Sequence, residues 1–171
     1  MANIFTKSYA KDTDGYMPAD DLVVVGTSVD GTVFHWVFYA RLADSDATRS
    51  VVFDMSPGTG EPPIGILLVS SVPGATSTGP EVLEYPFAPA APITPDAFLD
   101  FIVARGLDKF KFTPEGTGCR NWFKAVISGM EEAGLATPGT ADAFQAWLEG
   151  MSAKLGTERI PMPGARGTFY S

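Results

Sequence analysis

Residues 21–40 read DLVVVGTSVDGTVFHWVFYA. Two runs rich in Val, Phe and Trp flank a turn containing Asp30-Gly31, a dipeptide suited to the primed turns of hairpins. The stretch predicts two paired strands. RSVVFDMSPG (49–58) adds a third, stopped by Pro57-Gly58, IGILLVSSVPG (64–74) a fourth and EVLEYPF (81–87) a fifth. Together these strands suggest a mostly antiparallel meander. Gly65, inside an apolar run, marks a position for a bulge. SSVPGATSTGPE (70–81) reads as a long loop, a candidate edge for a site.

The apolar period then changes from two to 3.6. APITPDAFLDFIVARG (91–106) predicts a helix with Thr94 as N-cap, Pro95 in its first turn and Gly106 as stop. DKFKFT (108–113) alternates like a short strand. A helix from Cys119 to about Gly134 follows, and TPGTADAFQAWLEGMSAKLG (137–156) predicts another, capped by Thr140. The tail is turn-rich. Strands followed by helices predict an α+β fold, an antiparallel sheet packed against helices, in a single domain over 1–171.

The chain has 12 basic and 20 acidic residues, a formal charge of −8. An acidic surface repels phosphate backbones and anionic head groups, so neither nucleic acid nor membrane is an expected partner. The single cysteine cannot form an internal disulfide, the start has no signal-peptide pattern, and the longest apolar run is too short to span a bilayer. The expectation is a soluble cytoplasmic protein. One His and one Cys cannot furnish a zinc site, and no metal or cofactor is expected. GTGEPPIG (58–65) lacks the ending of a phosphate loop, and DTDGYMPADD (12–21) lacks calcium-loop spacing, so it reads as a solvated turn. Glu131-Glu132 reads as the wet face of a helix.

The candidate chemistry lies in the lone Cys and the lone His. Cys119, Trp122, Phe123, Val126, Ile127 and Met130 form an apolar stripe at i, i+3, i+4, i+7, i+8 and i+11, so Cys119 can be a core residue. It also heads its helix, where partial positive charge and unpaired N–H groups lower a thiol pKa and can hold an oxyanion. Gly118 permits a tight turn and a close approach to the backbone of Gly118 and Cys119. In VFHWVFY (33–39), His35, Val37 and Tyr39 share one face while Phe34, Trp36 and Phe38 share the other, so the strand reads as central and buried. Asp54 lies among apolar neighbours in VVFDMSPG (51–58), either capping the turn or orienting His35. Tyr39 and Trp122 are candidates for substrate contact.

HWVFYA, VVFDMSP and GCRNWF after KFKFT carry a resemblance. In this order they resemble the motifs of circularly permuted papain-like thiol enzymes, the lecithin:retinol acyltransferase-like branch of the NlpC/P60 superfamily. That resemblance covers Val33 to Met130 and implies Cys119 as nucleophile, His35 as base and Asp54 as the polar partner. Gly118 stands where that family has Asn, and Asn121-Trp122 where it has His-Phe. The whole chain also resembles an uncharacterised fungal family with His-Trp and Gly-Cys-Arg-x-Trp signatures. The leading expectation is a cysteine hydrolase or acyltransferase acting on an amide or thioester of a small-molecule or peptide substrate. The alternatives are a non-catalytic binding module and a cyclase or isomerase that uses His35 as a base with no covalent step.

Overall fold

The computed structural model describes residues 4–6, 8–29, 31–43, 48–75 and 77–171. Asp30 of the expected turn, residues 44–47 of the second interstrand link and Thr76 of the long loop lie outside the described residues.

The expected strands form. In chain order the elements are β1 (Ile4–Thr6), α1 (Lys11–Asp14), β2 (Ala19–Ser28), β3 (His35–Leu42), β4 (Arg49–Pro57), β5 (Gly65–Pro73), β6 (Glu81–Phe87), α2 (Pro95–Ala104), β7 (Phe110–Lys111), α3 (Cys119–Glu132), α4 (Thr140–Leu155) and β8 (Thr168–Phe169). The main sheet runs β1-β5-β4-β3-β2-β6, so β2 to β5 make the meander and the His35 strand is internal. The sheet is mixed rather than wholly antiparallel, because β1 joins β5 in parallel at its edge. No bulge forms at Gly65, which pairs in register with Pro57. A Cβ there would lie 2.6 Å from Met55 Sδ and 3.0 Å from Phe110 O, so close packing explains the glycine. The irregularity is in β2, between Ala19 and Asp21.

Alternation divides the sheet into two unlike faces. Leu22, Val24, Trp36, Phe38, Val51, Phe53, Met55, Leu67 and Val69 face the helices and build the main core with Phe98, Ile102, Trp122, Phe123, Val126 and Phe144. Val23, Val25, Val37 and Tyr39 form a second buried cluster on the other face, joined by Val52, Val72 and Val82 and, among the described residues, by no helical residue. The chain between β5 and β6 is short for the distance it covers. Pairing puts Pro73 beside Arg49 and Glu81 beside Ser28, at opposite ends and four strand spacings apart. A flat sheet would separate them by about 35 Å, whereas eight Cα steps reach about 28 Å. The sheet must therefore twist and curl. Ser50, on the valine face and 0% exposed, donates to the Gly74 carbonyl at 2.9 Å, so the link leaves β5 over that face.

The helix signals hold at α2, where Thr94 Oγ1 accepts the Ala97 N–H at 3.2 Å. They fail at α4. Its N-cap is Gly139 at φ +91°, and Thr140 is the first helical residue, its hydroxyl donating back to Thr137 O at 2.7 Å. The cap comes from α3 instead: Glu131 accepts the Ala141 N–H at 2.8 Å, so this carboxylate is not simply a solvated helix face. The DTDGYMPADD turn differs likewise, since Asp14 is 1% exposed and ion-paired with Arg49 of β4. Among the described residues no helix is long and apolar enough to cross a membrane.

Candidate active site

His35 is the first residue of β3, opposite Thr27 of β2, and points to the valine face with Val37 and Tyr39. Asp54 lies between Phe53 and Met55, which both face the helices, so alternation sends its carboxylate to the valine face too. There His35 Nε2 stands 3.2 Å from Asp54 Oδ1. The same oxygen accepts the Ser56 hydroxyl at 3.0 Å. Ser56 was not anticipated, although its place two residues after Asp54 puts it on the same face.

The expected buried histidine is half exposed. The His35 side chain is 51% accessible and that of Asp54 22%. Its hydrogen bond to Asp54 raises the imidazole pKa above the ordinary value; burial opposes this and the Asp54 charge adds to it. With Nε2 held by the carboxylate, Nδ1 is the ring nitrogen free for chemistry, and it has no partner among the described residues. Tyr39 is buried on the same face, and burial and the Asp54 charge raise its hydroxyl pKa.

Cys119 starts α3 as expected, with its side chain packed against the helix-side core. The N–H groups of Arg120 and of Cys119 itself point at its sulfur, and the Arg120 charge also favours thiolate. Burial outweighs all three and pushes the thiol up to about 11, with the Asp54 charge adding to the rise. Desolvation of the partly buried thiol thus works against the lowering expected from its helix position. Among the described residues no hydrogen bond joins it to His35, which faces the other side of the sheet. Asp54 lies within electrostatic range of both.

Two further expectations are corrected. Trp122 is 0% exposed, its indole donates to Leu107 O at 2.7 Å, and its ring packs on Phe38 and Phe123. It is a core residue and cannot meet a substrate. Gly118, at φ +125°, does allow a close approach, but by the chain's own tail: a Cβ there would lie 2.9 Å from Gly167 N. Asn121 Nδ2 donates to Gly167 O at 3.3 Å and holds that strap over the helix start. No signal for the strap is visible near the cysteine, because it comes from 46 residues downstream of Asn121.

Residues 20–170 match the family model described as a domain of unknown function, DUF7770. The chain belongs to the DUF7770 family. No curated protein and no solved structure matches it. The DUF7770 match takes in β2 to β8 and so includes His35, Asp54, Ser56 and Cys119, while β1 and α1 precede it. Among the described residues of this DUF7770 domain, no group of three or more His, Cys, Asp or Glu side chains could hold a metal ion.

Proposed function

We propose that this DUF7770 domain is an enzyme that moves protons on a small molecule, with His35 as general base and acid and Asp54 as its orienting partner. The observation that carries this reading is the half-exposed imidazole 3.2 Å from a carboxylate, on a sheet face without helices. Nδ1 of neutral His35 takes a proton from a carbon or hydroxyl next to a carbonyl. The imidazolium so formed is stabilised by Asp54, and the proton returns to another atom of the substrate. The outcome is isomerisation or ring closure with no covalent enzyme intermediate. Ser56 shares the Asp54 oxygen and limits the rotation of the carboxylate.

A second reading is a Cys119 hydrolase or acyltransferase with a permuted papain-like arrangement. It is supported by the order of histidine strand, acid strand and cysteine helix, and by the two N–H groups pointing at the sulfur. It requires Cys119 to reach His35 in a rearranged state.

One set of variants separates the two. Wild type, His35→Ala and Cys119→Ser are incubated in D2O with a panel of carbonyl compounds, and with nitrophenyl and thioester substrates in water. Proton transfer by His35 puts deuterium into a carbonyl compound with wild type and Cys119→Ser, but not with His35→Ala. Thioester turnover lost in Cys119→Ser transfers the function to the thiol, and exchange that survives His35→Ala overturns the first reading.

A further inference from the structure

The stripe of α3 that faces the core leaves Arg120, Asn121 and Lys124 on another flank, where they line an open cleft of about 820 Å3. The opposite wall is α4, and the end is closed by the tail through Arg166. The volume is within the range of small-molecule sites, about 300–1,000 Å3.

The charge of this cleft is opposite to that of the molecule. The chain has only 12 basic against 20 acidic residues, yet Arg120, Lys124 and Arg166 converge here against the single carboxylate of Glu149. Glu149 is already engaged by the Gln145 amide at 2.8 Å. None of the three cations has an ion-pair partner among the described residues. Arg120 is fixed in place, since its guanidinium donates to Pro161 O and to Met162 Sδ. Burial also lowers its pKa, the mark of a cation short of water and of a counter-charge. Its remaining N–H groups are free for a ligand, and because the fork is held in place beforehand, binding orders little further. Met162 and Pro163 supply an apolar surface beside these charges.

We propose that this cleft binds an organic dianion, two carboxylate or phosphate groups' worth of charge on an apolar body. Arg120 and Lys124 take one end, Arg166 neutralises the other, and the apolar body lies against Met162 and Pro163. The proposal is independent of His35 and Asp54 and stands whichever reading of that pair holds.

Calorimetry and thermal melts with 1,4-phenylene bisphosphate and with terephthalate test it, the two probes distinguishing phosphate from carboxylate. Saturable binding of at least one, weakened by added salt, is expected. Lys124→Gln combined with Arg166→Gln should weaken it roughly tenfold or more. Neither side chain is in an ion pair, so circular dichroism should be unchanged. Lys154→Gln, a substitution elsewhere on α4, should leave binding intact. Absence of saturable binding to both probes by the wild type, or equal binding by the double variant, overturns the proposal.

Discussion

At the scale of single residues the chemistry depends on which groups are wet. His35 and Cys119 were both candidates by type, but the fold leaves the imidazole half exposed and packs the partly buried thiol against the helix-side core. The chain has one histidine, so one set of imidazole resonances reports on the site. Asp54→Asn should move the His35 pKa down towards the ordinary value, read by NMR titration; an unmoved titration removes Asp54 from the pair. The sign of the linkage follows from the raised pKa. The pair stabilises the fold below the unfolded imidazole pKa of about 6.5 and loses that contribution as pH rises through the higher folded value. Urea midpoints of wild type and Asp54→Asn should therefore differ most in mild acid and converge above the folded His35 pKa. General-base activity should run the other way and rise with pH through the same titration. For Cys119, burial pushes the thiol up to about 11, so the thiol form dominates at neutral pH. Iodoacetamide should label it more slowly than a free thiol, until urea or alkali releases it. Rapid labelling of the native protein would favour the thiol reading.

At the scale of elements, α3 and the tail fix each other. Gly118→Ala meets both a backbone conformation that disfavours a side chain and the Gly167 amide at 2.9 Å. Gly134→Ala, at φ +70° with nothing within 4 Å, meets only the first. The second change should cost about 1 kcal/mol and the first about 2–3 kcal/mol in urea unfolding. Equal losses would mean that the tail yields without cost. The same tail closes one end of the basic cleft, so Gly118→Ala should also weaken anion binding there.

At the scale of the molecule, one aromatic knot joins sheet and helices. Phe38 is 0% exposed and meets Phe98, Trp122 and Phe123, with ring centroids 4.8 to 5.8 Å away. Phe38→Ala should cost about 3–5 kcal/mol, measured by denaturant titration, because three elements border the cavity. The opposite face has no such layer. Its valines pack on one another and on Val52, Val72 and Val82 of neighbouring strands, and His35 at its end is open to solvent.

Much of this was legible in the sequence, because it depends on local period and local chemistry. Alternation in residues 21–40 determined two strands and placed His35 opposite Trp36. Thr94-Pro95 determined the start of α2, and the spacing after Cys119 determined the buried stripe of α3. What tertiary structure decided are the contacts between distant segments. Thr140 matches the pattern of a cap, yet Glu131 caps α4, because the turn between the helices brings that carboxylate to the amide first. A helix start lowers a thiol pKa by a local dipole, whereas desolvation depends on everything packed above it, and here the packing prevails. The side of the sheet taken by the helices is equally non-local. It set the histidine and the cysteine on opposite faces, since a strand of period two presents both faces and only the packing of distant helices determines which one is covered.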